Sequence, residues 1–112
     1  MNLSAPFKIN KIKKQSEIKK ILSEGRKVYT KYGIFFLLQE IELSETFYAV
    51  LLKKNIGNAV LRNNKKRLTK EYLRKNISKF KNYNRIIFLY NHDGDEKYSS
   101  LENEFNLKLK KI

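Results

Sequence analysis

Apolar positions along this chain switch repeatedly between helical and strand spacing, and each switch predicts an element. Residues 7–14 read as an extended, basic lead-in, because Pro6 disfavours helix at Ala5. Ile18, Ile21 and Leu22 then recur at helical spacing, which predicts a short helix capped by Ser16 and running to Glu24. Gly25 is expected to end it as a left-handed residue. Residues 28–39 contain Ile34-Phe35-Phe36-Leu37-Leu38, a run too short for a buried helix and rich in branched and aromatic side chains, so they read as one strand. An acidic turn over 40–45 leads to a second strand, residues 46–52, expected to be the antiparallel partner of the first.

Helical spacing returns at residues 58–79, which read as one helix. About 100° per residue places Arg62, Lys66, Lys70 and Arg74 in one arc, with Asn63 and Arg67 at its edge. Leu61, Leu68 and Tyr72 project from the opposite arc, while Leu73 and Ile77 drift away from it, so the last turns should pack differently. After a turn at Asn82-Tyr83-Asn84, residues 85–90 form the third strand and 91–97 a polar loop. Ser99 with Glu102 makes a capping-box pattern for a closing helix faced by Leu101, Phe105 and Leu109. The order helix, strands, helix, strand, helix is that of an α+β sandwich, a small, mainly antiparallel sheet with helices expected over one face and a strand-helix-strand crossover unit over residues 47–90.

Composition adds the partner. The chain of 112 residues reads as a single domain, 1–112, with a formal net charge of +14. Residues 53–81 hold eleven Lys/Arg and one acid, Glu71, so the excess is placed rather than smeared. Cations at this density repel one another and are best neutralised by phosphates, with counterion release as added driving force. Nucleic acid comes first on that argument and an anionic membrane surface second, but a basic membrane-surface helix would leave nothing to form the sheet. The 41% hydrophobic content supports one modest core, and no cysteine is present for a disulfide or thiolate zinc site. Neither the N-terminal residues nor the longest apolar runs, five residues each at 34–38 and 86–90, suit a signal peptide or a membrane span. A cytoplasmic location is the expectation.

The run Lys54-Asn55-Ile56-Gly57-Asn58-Ala59-Val60-Leu61-Arg62-Asn63-Asn64-Lys65-Lys66-Arg67-Leu68 resembles the signature of the bacterial ribonuclease P protein component. In that family a Lys-Lys-Ile-Gly-Asn-Ala-Val stretch enters a helix carrying Arg-Asn-Arg and then Lys-Arg. The order of the remaining elements matches across nearly the whole chain. Asn64 departs from the pattern by standing where the family has arginine, and Asn55 by replacing a lysine. Ile18 and Leu22 stand where the first helix of the family tends to carry aromatics, leaving apolar packing but no stacking there. The resemblance implies a fold like the second domain of ribosomal protein S5, with a left-handed strand-helix-strand crossover where the general rule favours a right-handed one.

It also implies the work. In that family an RNA subunit using magnesium cuts one phosphodiester of precursor tRNA to leave the mature 5′ end, while the protein binds that RNA and holds the 5′ leader. No cofactor is expected on the protein itself. The chain has no clustered carboxylates for two metals and no Ser/His or Cys/His pair, so catalysis by the protein alone is hard to build. The resemblance places RNA-subunit contacts on Lys53, Lys54, Asn58, Arg62, Asn63, Asn64, Lys65, Lys66, Arg67, Lys70 and Arg74. Guanidinium forks suit phosphate, and the first-turn amides beyond Gly57 face an anion. The leader is expected on an open sheet face beside the first helix, at Lys8, Lys11, Lys13, Ile18, Leu22, Phe36 and Tyr48. Alternation lets only one of Phe35 and Phe36 face that groove, and alignment with the family selects Phe36; core packing is the expectation for Phe35, Phe47 and Phe88.

A stand-alone RNA- or ribosome-binding module is the competing reading, and nothing in the sequence specifies a homodimer. His92-Asp93-Gly94-Asp95-Glu96 resembles a fragment of a cation loop but lacks the remaining spaced ligands, so it reads as a polar loop with His92 in solvent.

Overall fold

The computed structural model describes residues 9–41, 45–80, 82–110 and 112. In chain order the elements are β1 (Ile9–Lys11), α1 (Gln15–Glu24), β2 (Arg26–Tyr29), β3 (Gly33–Leu38), β4 (Thr46–Leu52), α2 (Ala59–Lys75), a 3-10 turn (Ile77–Phe80), β5 (Arg85–Tyr90) and α3 (Tyr98–Lys108). The strands form one α+β sheet in the order β1-β4-β5-β3-β2. β3 pairs antiparallel with β2 and β5, whereas β4 pairs in parallel with β1 and β5. The expected antiparallel pairing of β4 with the preceding strand is thus replaced, because β5 inserts between them. α2 makes the connection that parallel neighbours β4 and β5 require.

Residues 28–39, read as one strand, instead span the end of β2, a turn at residues 30–32 and all of β3, so the two strands form a hairpin. The Thr30 hydroxyl donates to Gly33 O and accepts from the N–H groups of Tyr32 and Gly33, which folds the chain back at that point. A Cβ on Gly33 would lie 2.1 Å from Leu89 O, so only glycine lets β3 start against β5.

Helix boundaries differ from the sequence expectation at each end. α1 begins at Gln15, with the Lys14 carbonyl rather than the Ser16 side chain serving its first amides. Gly25 is extended (φ −70, ψ 153), not left-handed; its lack of a Cβ matters because one would meet Ile21 O at 2.6 Å and Leu37 N at 3.2 Å. α2 stops at Lys75, where the Asn76 side chain donates to Tyr72 O and breaks residues 58–79 into a helix and a 3-10 turn. α3 starts one residue before Ser99, and Lys97 O accepts from Ser100 and Leu101, so the capping box is not used.

Helices cover both faces of the sheet, not one. On the first, α2 and α3 bury Leu68, Tyr72, Leu101 and Phe105 against Phe35, Leu37, Ile86, Phe88 and Tyr90. Phe35, Phe88 and Phe105 meet with centroids 4.6–4.8 Å apart, each such pair adding roughly 0.5–1.5 kcal/mol beyond burial. On the second, α1 packs Ile18, Ile21 and Leu22 on Phe36, Ala49 and Ile87. This smaller layer leaves Ile34, Leu38, Leu51 and Leu89 half-buried. No described helix is long and apolar enough to cross a membrane.

Candidate nucleic-acid interface

The fold turns α2 so that its cationic arc faces outward. Leu68, Thr69, Tyr72 and Leu73 are buried, while Asn63, Lys66, Arg67, Lys70 and Arg74 are exposed. Asn58 caps the helix by accepting from Leu61 N at 2.9 Å. Its side chain is therefore engaged in the fold. Gly57, at φ 46, supplies the left-handed turn into the helix, and its N–H donates to Asp93 Oδ1 at 2.9 Å. Lys53 and Lys54 are exposed in the loop before it.

The candidate cations differ in freedom. The Arg62 guanidinium is half-buried and donates to Lys53 O and Ile56 O, both at 3.1 Å, so it braces the loop that enters α2. Arg67 donates to Asn64 Oδ1 at 2.7 Å. Arg74 is paired with Glu71 at 2.8 Å, and that carboxyl is held below its usual range by hydrogen bonds from Lys75 and then Arg74. No described acid pairs with Lys66 or Lys70.

Lys65 is a correction. Grouped by sequence with the phosphate-pairing residues, it is 1% exposed and lies on the arc of Leu61, Leu68 and Tyr72. Its ammonium donates to Gly94 O at 2.6 Å and to both Glu96 oxygens at 2.9 and 3.1 Å, over the Tyr90 ring at 4.9 Å. It is withdrawn from the basic face and spent on the fold. The 91–97 loop, read as merely polar, thus clasps α2 twice, through Asp93 at Gly57 and Glu96 at Lys65. His92 is not isolated either: it stands edge-on to Tyr32 at 5.3 Å and 3.5 Å from Glu96.

The residues assigned to a leader groove do not converge on one face. Ile18, Leu22 and Phe36 belong to the α1 layer, whereas Tyr48 packs in the α2 and α3 layer. Phe36 is only 6% exposed, beneath the Lys27 ammonium at 5.9 Å. Neither ring is an open stacking platform. Burial also pushes the Tyr48 hydroxyl above its usual pKa. Phe35 and Phe88 are in the core, and Phe47 is half-buried under the Arg85 guanidinium at 4.7 Å. Lys13, with Lys11, Lys14, Lys20 and Phe47, lines a cleft of about 940 Å³ beside the start of α1; Glu17, Glu40 and Glu45 line it too, with Lys20 paired to Glu40 at 2.8 Å and Glu17 to Arg85 at 2.9 Å. Lys8 lies outside the described residues.

Comparison with known proteins decides the family. The ribonuclease P family model matches residues 7–112. The chain belongs to the bacterial ribonuclease P protein family. It is 36% identical over 104 residues to the ribonuclease P protein component of Fusobacterium nucleatum, covering 88% of this chain and 92% of that one. A Clostridium botulinum ribonuclease P protein component is 28% identical over 107 residues, 94% of this chain and 96% of its own. The structure of the Staphylococcus aureus RNase P protein superposes with a TM-score of 0.79 at 25% identity, covering 92% of this chain and 94% of that one. The Thermotoga maritima RNase P protein superposes at 0.78 over 92% of this chain and 97% of that one, where 17% identity speaks to the fold alone. Membership makes this chain a protein subunit of ribonuclease P, a tRNA-processing ribonucleoprotein, and implies association with its RNA subunit.

Two residues of this ribonuclease P protein that matter to the basic helix, Asp93 and Glu96, escaped sequence reasoning. Their partners are distant in sequence, but Lys65 carried a signal: a lysine on an otherwise apolar arc needs a buried acid.

Proposed function

We propose that this protein anchors the catalytic RNA of ribonuclease P through the exposed arc of α2 and holds the 5′ leader of precursor tRNA along the α1 side of the sheet. The reading rests on one observation above the others: Lys66, Arg67 and Lys70 are exposed on a helix whose opposite arc is locked into the core. Phosphates neutralise such a face and release its counterions. The leader surface is supported by Lys13 and Lys14 at the α1 cleft and by half-buried Ile34, Leu51 and Leu89 beyond it. With Phe36 covered, that surface grips a strand by charge and apolar contact more than by stacking.

Hydrolysis is assigned to the RNA, with magnesium bound there. Among the described residues no three His, Asp or Glu side chains are grouped to hold a metal ion, and Asp93 and Glu96 are committed to Gly57 and Lys65. The cytoplasm is the proposed location. The test is addition of purified protein to cognate ribonuclease P RNA and precursor tRNA at low magnesium. Correct 5′ cleavage should rise; no gain, with RNA affinity intact, would return the protein to a stand-alone RNA-binding module.

A further inference from the structure

The edge strand and the cationic helix meet over Tyr48. Lys11 stands opposite Tyr48 in the parallel β1/β4 register. Paired positions of neighbouring strands project to the same side of a sheet, so Lys11 leaves the sheet on the α2 side. There Lys11, Tyr48, Val50, Lys66, Arg67 and Lys70 enclose a pocket of about 240 Å³. Its lining holds four cations and no acid. Among the described residues no carboxylate pairs with Lys11, Lys66, Arg67 or Lys70, and Arg67 is held only by the neutral Asn64 amide. Like charges around one small volume repel, and a shared anion relieves them.

The floor decides what kind of anion. Tyr48 is 8% exposed, too covered to stack a base, and with Val50 it offers an apolar floor beneath the cations. We propose that the seam between β1 and α2 is a phosphodiester site in which Lys11 completes the grip of Lys66, Arg67 and Lys70 on an RNA backbone without reading its bases. This rests on the RNA-binding role proposed above for α2. The backbone could belong to the RNA subunit or to the leader, since Lys11 also borders the α1 cleft.

The test compares Lys11→Gln, Lys11→Arg and Arg67→Ala in the full chain. Affinity for cognate ribonuclease P RNA is measured across a potassium chloride series, and holoenzyme cleavage is measured on precursor tRNAs with long, short and sequence-scrambled leaders. Lys11→Gln should flatten the plot of log affinity against log salt by about 0.7–0.9, one lost phosphate contact, while Lys11→Arg keeps the parental slope. The exposed side chain should leave thermal unfolding unchanged, which excludes a folding defect. A parental RNA-subunit slope with a reduced benefit from long leaders would support the site and assign it to the leader backbone. If Lys11→Gln moves neither readout while Arg67→Ala moves the first, the seam site is overturned and the role of α2 stands. If neither variant moves either, the underlying reading fails too. An effect that depends on leader sequence would overturn backbone recognition.

Discussion

Replacing Glu96 by glutamine isolates the clasp that holds the basic helix. In the parent, the Lys65 and Glu96 side chains are 1% and 4% exposed and 2.9 Å apart. Glutamine keeps the shape and one hydrogen-bond acceptor but leaves a buried ammonium without its counter-charge. Breaking one side of such a pair typically costs about 3–5 kcal/mol. Here Gly94 O and the Tyr90 ring remain as partners, so the low end, about 3 kcal/mol, is the expected loss. A domain of this size has roughly 5–15 kcal/mol in total, so the change is large enough to read in a urea titration at fixed salt.

The complementary variant removes both charges. Lys65→Met with Glu96→Leu exchanges the ion pair for apolar side chains of similar length, which is commonly neutral or stabilising. The double variant should therefore recover most of what Glu96→Gln loses. A Glu96→Gln loss under about 0.5 kcal/mol would refute the reasoning, because the burial of both groups leaves no solvent to replace the lost partner. So would a double variant no better than either single one.

Other consequences are checked by simpler measurements. Tyr72 and Tyr90 have hydroxyls pushed well above the ordinary value of 10.0, mainly by burial. The folded state therefore resists their ionisation, and its stability, complete below pH 10, should fall by about 1.4 kcal/mol per pH unit per tyrosine as pH rises beyond it; phenolate absorbance should appear together with loss of circular dichroism, and titration of every tyrosine in a folded protein would disprove this. Gly33→Ala places a methyl against the Leu89 carbonyl and Phe88 ring, so a loss of about 1–3 kcal/mol is expected in denaturant titration. Arg62→Ala should cost stability as well as RNA affinity, roughly 1 kcal/mol for each lost hydrogen bond to Lys53 O and Ile56 O, whereas Arg67→Ala should lower RNA affinity with melting unchanged.

Local chemistry was legible where an element's period is set by its own residues. The sorted arcs of α2, the apolar run of β5 and the apolar face of α3 all follow that logic. The β2/β3 turn was not, because Thr30-Lys31-Tyr32 carries strand-forming residues and only the Thr30 hydroxyl network reveals the reversal. Nor was the place of β4. The strand-helix-strand order over residues 47–90 did point to β5 as its parallel neighbour, but no local pattern encodes the pairing of residues 9–11 on its other edge, or that β5 separates it from β3. That one non-local fact scattered the leader candidates, since Phe36 and Tyr48 could be placed on the same or opposite faces only once the partners of their strands were known.

Asn64 shows why counting cations overstates the interface. Against the family pattern it removes one guanidinium, yet its Oδ1 accepts from Arg67 at 2.7 Å. Arginine has no acceptor and could not do this. The lost charge is thus coupled to a gain in order at the next exposed arginine, whose free side chain would otherwise lose up to about 2 kcal/mol of rotamer entropy on docking. Lys65 is subtracted from the face outright by Glu96, and Arg74 is partly neutralised by Glu71. What α2 would offer an RNA backbone on the proposed reading is therefore Lys66 and Lys70, which no carboxylate pairs among the described residues, Arg67 pre-set by an amide, and Arg62 tied to the loop that enters the helix. In the proposed contact, strength is governed by which cations the fold leaves uncommitted, and Lys11, from a strand far away in sequence, lines the same pocket because β1 lies beside β4.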